Sequence, residues 1–369
     1  MKTRTESRPQ ILTIVGARPQ FVKAAPVSQA LARCGVDEVL LHTGQHYDDR
    51  LSAIFFRELG LATPKYSLNI GSGSHARQTG RMMEAIEEVV GELAPARILV
   101  YGDTNSTLAG AMVAAKAHIP VDHVEAGLRS FNRRMPEEVN RVVTDHLSDL
   151  RFAPTSTAVE NLSNEGICGP QVILSGDVMY DATLATREKA FEQSVILETL
   201  GLTEKAYVLA TVHRSENTED PARMKAIFDG LVEISADLPV VLPLHPRTRS
   251  ILEASGQGQP RGANLLVLEP IGYHDINCLE ASAALIATDS GGMQKEAFFH
   301  RVPCVTLRPE TEWTELIELD WNILANPSTD DIAEVIRSRL GHEGREGSPY
   351  GNGAASEIIA ESVHAVLMA

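Results

Sequence analysis

Short apolar runs rich in β-branched residues alternate along the chain with longer stretches whose apolar positions recur at helical spacing. "ILTIV" (11–15) precedes a helix-like segment from Pro19, and "VDEVLLH" (36–42) precedes "YDDRLSAIFFREL". "RILVY" (97–101) precedes "NSTLAGAMVAAKA", and "IPVDHV" (119–124) precedes "RRMPEEVNR" and its helix. The rhythm restarts with "AYVLATV" (206–212), "LPVVLPL" (238–244), "NLLVLEP" (264–270), "AALIAT" (283–288) and "VPCVTL" (302–307). Such an order predicts parallel sheets covered by helices. Two series predict an α/β fold of two Rossmann-like, doubly wound domains, residues 1–175 and 176–352. The changeover falls near "ILSGDVMYD" (173–181), and "AASEIIAESVHAVLMA" reads as one last helix.

The polar positions fall directly after the strands. Gly16 and Arg18 follow the first, Asp103 follows "ILVYG" and Glu125 follows "DHV". In the second half His213 follows "LATV", His245 follows "LPL" and "TDSGG" follows "AALIA". Ligands of open α/β sheets sit beyond the carboxyl ends of the strands. Two domains with these ends facing each other would form one polar cleft.

Composition narrows the function. The net charge of −16 argues against a nucleic-acid backbone binder, which needs a basic surface. The four cysteines stand far apart, so neither a zinc ribbon nor a disulfide framework is expected. The N-terminal "MKTRTESRPQ" lacks the apolar run of a secretory signal, and no stretch is apolar enough to span a membrane. A cytoplasmic globular protein is expected, with no metal site.

The strongest motif is "TDSGGMQKEA" (288–297), a strand end, Ser290-Gly291-Gly292 and a helix start. Glycines let backbone N–H groups approach an anion, and the helix N-terminus adds partial positive charge. Glu296, one turn on, could accept hydrogen bonds from ribose hydroxyls. The competing reading is a plain helix cap by Ser290. "GSGSHA" (71–76) fits a dinucleotide fingerprint, but it does not follow the first strand of a βαβ unit, so NAD is not expected. Arg18 and Lys23 flank the first helix start, either as phosphate-binding cations or as surface charge. Asp103, Glu125, Glu137 and Glu138 form a carboxylate set. Asp103 could be a helix N-cap. Glu137 and Glu138 follow Pro136, where the helix dipole favours carboxylates, and Glu137 stands four residues before Arg141. That pattern fits surface decoration as well as proton chemistry. His213 has no second His or Cys at ligand spacing, so it suits a phosphate contact or proton transfer.

Taken together, "GARPQFVKAAPV", "GDTNSTLAG", "HVEAGLR", "MPEEVNR", "VHRSEN", "DSGGMQKEA" and "PYGNG" resemble the non-hydrolysing UDP-N-acetylglucosamine 2-epimerase family, in its order, over residues 16–353. The resemblance implies a GT-B-like fold, with the last helix (353–369) packing back on the first domain, and a cytoplasmic homodimer without cofactor. It implies catalytic roles for Asp103, Glu125, Glu137 and His213. For the UDP-sugar it implies Arg18, Lys23, His245, Ser290, Gly291, Gly292, Glu296 and Arg308, with Tyr273 near the uracil. The implied reaction eliminates UDP to a 2-acetamidoglucal and adds it back with C2 inverted. A hydrolysing relative, a UDP-sugar sensor and a glycosyltransferase are the competing readings. Two segments depart from the best-known members. "RPETEWTEL" carries Trp313 and Thr314 in place of an arginine-proline pair, and "QHYDDRL" replaces a segment of the activator site. "SFNRRMPEE" and "TEW" are similar to a branch that includes epimerases of UDP-2,3-diacetamido-glucuronic acid.

Overall fold

A computed structural model of the chain describes residues 9–45, 59–244, 246–254 and 258–369, without the side chains of Arg18, Glu188, Lys189 and Pro246. His245 and most of "QHYDDRL" lie outside the described residues. The chain forms two compact units, Met1–Ala182 with Ser348–Ala369, and Thr183–Gly347.

The first unit carries seven strands: β1 (Gln10–Val15), β2 (Asp37–His42), β3 (Tyr66–Ser67), β4 (Arg97–Tyr101), β5 (Val121–Val124), β6 (Leu150–Ala153) and β7 (Val172–Leu174). They form one sheet in the order β3-β2-β1-β4-β5-β6-β7, with every pair parallel. The order reverses between β1 and β4, in register Ile14 to Val100. Leu12, Ile14, Ile98 and Val100 are fully buried against Met82 and Ile86 of the His75–Leu93 helix. Burial on this scale, about 1.5–3 kcal/mol per large side chain, is what makes the strands read as continuous apolar runs. The Asn105–Lys116 helix sits so close to the sheet that a Cβ on Gly110 would meet Ile14 Cδ1 at 2.8 Å. The helix start after β4 is thereby held rigidly to the switch point.

The second unit carries β8 (Val208–Thr211), β9 (Val240–Pro243), β10 (Leu265–Leu268), β11 (Leu285–Thr288), β12 (Cys304–Thr306) and β13 (Asn322–Leu324). Their order is β10-β9-β8-β11-β12-β13, again all parallel. Here the reversal lies between β8 and β11, where Thr211 and Thr288 bond side chain to side chain at 2.6 Å. Among the described residues no helix is long and apolar enough to cross a membrane.

Candidate functional site

In the first unit, β1, β4 and β5 are neighbours, so their carboxyl ends lie side by side. Gly16 ends β1 under a steric constraint: a Cβ there would fall 2.1 Å from Ser106 Oγ and 2.2 Å from Thr43 Oγ1. Gln20 braces this turn. Its Oε1 accepts from the Gly16 and Ala17 amides at 2.8 and 3.1 Å, while its Nε2 donates to the Tyr101 carbonyl at 2.8 Å. The ends of β1 and β4 are thus tied by one buried amide. The Arg18–Arg33 helix starts here, with Pro19 as its second residue, and brings Lys23 one turn inward.

Lys23 Nζ donates to Glu125 Oε2, and both side chains are largely buried. Glu125 adopts φ +72° directly after β5, a left-handed conformation costing about 1–3 kcal/mol outside glycine. The amides of Glu125 and Ala126 both donate to the Phe152 carbonyl, which holds the bend. Asp103 follows β4 after Gly102, at φ +61°. It is not the cap of the next helix. Thr104 takes that place, accepting from the Thr107 amide, and leaves Asp103 free to receive Arg141 Nη2. The Asn140 side chain adds a bond to the Asp103 carbonyl at 2.9 Å.

The two adjacent glutamates of "MPEEVNR" have different surroundings. Pro136 opens the Pro136–Leu147 helix. Glu138 is buried and accepts from the Ser130 amide and hydroxyl, the Phe131 amide and Arg141 Nη1, at 2.9 to 3.1 Å. Glu137 is exposed and has no polar partner among the described residues. Arg141 pairs with Glu138 and Asp103 rather than with Glu137, four residues before it.

In the second unit, His213 and Arg214 follow the last residue of β8 by two and three positions. The buried Asp289, which follows β11, accepts from the His213 amide at 3.1 Å, the Arg214 amide at 3.0 Å and Asn217 Nδ2 at 3.1 Å. The half-exposed His213 ring places Nδ1 3.5 Å from Asp289 Oδ1, so this carboxylate orients both backbone and ring. Ser290 caps the Gly291–Phe299 helix by accepting from the Met293 amide at 3.4 Å. The capping role is therefore real, and the amides of Gly291 and Gly292 still have no acceptor among the described residues. Such orphan donors at a helix N-terminus suit an anion. A Cβ on Gly291 would come 2.6 Å from Glu312 Oε1. Burial alone would raise the Glu312 carboxyl, but Arg308, at 3.0 Å, and Arg214, at 3.7 Å, hold it below the ordinary carboxylate range.

Arg308 is fully buried and engaged with Glu312. Glu296 and Tyr273 are buried, and burial together with Glu296 and Glu280 pushes the Tyr273 phenol far up. Lys295, also buried, lies 4.1 Å above the Trp313 ring. The Trp313 indole thus offers Lys295 an aromatic face. Among the described residues no group of three His, Cys, Asp or Glu is placed to hold a metal.

Gln20, Arg141 and Asp289 were not singled out from sequence as site residues. Asp289 alone left a signal, since it stands between the β11 end and Ser290 in "TDSGG".

The sequence profile described as UDP-N-acetylglucosamine 2-epimerase matches residues 29–364. The chain belongs to this family. It is 48% identical to the UDP-2,3-diacetamido-2,3-dideoxy-D-glucuronate 2-epimerase of Pseudomonas aeruginosa, over 95% of this chain and 98% of that protein. It is 42% identical to the UDP-N-acetylglucosamine 2-epimerase of Methanocaldococcus jannaschii, over 94% and 96%. A crystal structure of the M. jannaschii enzyme in complex with UDP-GlcNAc and UDP superposes with a TM-score of 0.90, at 40% identity, over 96% and 99% of the two chains. The epimerase is accordingly an isomerase, with the GT-B-like fold of its family.

Proposed function

We propose that this epimerase interconverts UDP-N-acetylglucosamine and UDP-N-acetylmannosamine without net hydrolysis. One observation carries the reading within the family: on adjacent strand ends Asp103 pairs with Arg141 and Glu125 with Lys23, and Glu137, on the helix that supplies Arg141, has no polar partner among the described residues. The C2 hydrogen of the sugar has no adjacent carbonyl to acidify it. Loss of UDP from C1 supplies the missing driving force. The C2–H electron pair forms C1=C2 as the C1–O bond breaks, and the proton passes to a base. UDP then returns to C1 while a proton adds to the other face of C2. One base and one acid on opposite faces are needed, and Asp103, Glu125 and Glu137 are the candidates. His213, oriented by Asp289, serves the leaving diphosphate.

The Gly291 and Gly292 amides with Ser290 stabilise that diphosphate as charge develops on it. Lys23 steadies Glu125, Glu296 takes the ribose hydroxyls and Tyr273 borders the uracil. Arg308 acts through Glu312, by shaping the Gly291 turn. A cytoplasmic homodimer is part of this reading, and sedimentation of the purified protein checks the dimer.

A second substrate, UDP-2,3-diacetamido-2,3-dideoxy-glucuronate, is favoured by a specific feature. Arg133 and Arg134 are exposed, make no ion pair among the described residues, and immediately precede the Pro136–Leu147 helix. Cations are the wrong sign for a helix N-terminus, so their placement suits an anionic sugar. Incubation in deuterated water with each substrate decides. C2-deuterated sugar still attached to UDP supports epimerisation, released free sugar indicates hydrolysis, and no exchange with either substrate refutes the proposal. A preference for the uronate that disappears in Arg133→Ala/Arg134→Ala establishes the second substrate.

A further inference from the structure

His123 lies on β5, two residues before Glu125, and is fully buried. Its Nε2 is 2.7 Å from the carbonyl oxygen of Gly102, the residue before Asp103. Its Nδ1 is 2.7 Å from Asp145 Oδ1. A carbonyl oxygen accepts only, and a carboxylate is by preference an acceptor, so the ring bridges two acceptor groups. Burial alone would raise the Asp145 carboxyl, but the charges of His123 and Arg129 bring it below its ordinary value.

Asp145 is held on its other side as well. Asp145 Oδ2 accepts from Arg129 Nη1 at 2.7 Å and from the Gly127 amide at 3.1 Å. Arg129 makes a second, two-point pair with Glu165, at 2.7 and 2.8 Å. Arg151 Nε donates to the Asp145 carbonyl at 2.6 Å. Gly127 is itself tightly confined: at φ +83°, a Cβ would fall 2.3 Å from the Ala158 carbonyl oxygen.

We infer that His123 is a positioning residue: through Gly102 and through Asp145 to Gly127, it fixes the Asp103 turn relative to the Glu125 turn. The Gly102–Asp103 turn hangs from one ring nitrogen. The Glu125–Gly127 turn is closed from the other, by way of the carboxylate that also binds Arg129. The ring hydrogen-bonds to neither Asp103 nor Glu125, and its role is geometric rather than one of proton transfer. This inference rests on the proposal that Asp103 and Glu125 serve the C2 chemistry.

A rescue experiment tests it. His123→Gln offers one donor and one acceptor, so one end must face an oxygen it cannot bond. Adding Asp145→Asn restores a complementary set, with Gln Nε2 on Gly102 and Asn Nδ2 on the Gln carbonyl. Misplacing reacting groups by about 1 Å costs on the order of a hundredfold in rate. His123→Gln should therefore lower kcat for C2 exchange about a hundredfold, with KM within about threefold, and the double variant should regain at least about tenfold. A folded double variant no more active than the single one would overturn the inference, as would full kcat in His123→Gln. If His123→Gln does not fold, the double variant decides alone: its activity supports the geometric role, and its inactivity while folded and binding UDP overturns it. Wild-type protein that exchanges no deuterium would instead refute the underlying epimerase proposal.

Discussion

At the scale of single residues, Glu137 and Glu138 illustrate how neighbours in sequence diverge in role. Both satisfy the same pattern, carboxylates in the first turn after a helix proline. Glu138 spends its oxygens on Ser130, Phe131 and Arg141, so it shapes the loop before the helix. Glu137 has no polar partner among the described residues and remains available for chemistry. Glu137→Gln should abolish C2 deuterium exchange while UDP affinity stays within about threefold. Glu138→Gln replaces a four-bond acceptor with a group that accepts at one atom only. Leaving buried donors unsatisfied costs about 1–3 kcal/mol. Its signature should therefore be a lowered thermal midpoint, with activity falling through misplacement of Arg141 and Asp103. Thermal melts and exchange rates on both variants separate the two, and a dead Glu138→Gln of wild-type stability beside an active Glu137→Gln would reverse the assignment. Sequence pattern could nominate both glutamates, but could not divide them, because the donors that engage Glu138 lie on an irregular loop with no periodicity.

At the scale of elements, the strand-end rule nominated most of the candidate site. Parallel strands buried on both faces announce themselves as apolar runs, and whatever polar residue follows each run stands at the ligand-binding edge. Gly16, Asp103, Glu125, His213 and Ser290 were legible for that reason. What joins the elements was not. Arg141 reaches Asp103 across 38 positions of sequence, and Gln20 reaches Tyr101 across 81. Such links depend on sheet order, which a single sequence leaves open. The Gly291 turn shows the same limit. The glycine pair suggested anion binding, but the packing partner of Gly291, Glu312, lies in a different loop and emerges only from the fold. Gly291→Ala places a methyl 2.6 Å from Glu312 Oε1, closer than real contacts allow. Glu312 cannot retreat easily, since Arg308 and Arg214 hold it. The helix start should shift instead. UDP affinity, read by calorimetry, should fall at least about tenfold, and unchanged affinity would show that the Gly291 amide does not contact the diphosphate.

At the scale of the whole molecule, the first unit is built from both ends of the chain. The Ala355–Met368 helix packs on the Arg18–Arg33 helix, with Ile359, Ala360 and Val363 fully buried. Asp181 accepts from the Ala355 and Ser356 amides at 3.2 and 2.7 Å, capping this helix from a distant part of the chain. The Asp177 amide donates to the Tyr350 carbonyl at 3.0 Å, and Gly176 lies so close that a Cβ would meet that oxygen at 2.9 Å. The returning segment is therefore clasped by the first unit before its helix begins. Ile359→Ala leaves a void in that interface, at a cost of about 2–5 kcal/mol. Such a loss is a large fraction of the roughly 5–15 kcal/mol that stabilises a domain. Both tryptophans, Trp313 and Trp321, lie in the other unit. Tryptophan fluorescence thus follows one unit alone, while the far-ultraviolet circular dichroism follows both. If each unit unfolds on its own core, Ile359→Ala should split the urea transition, with an early loss of dichroism and an unmoved fluorescence midpoint. A fluorescence midpoint that falls together with the dichroism would instead make the molecule one cooperative unit.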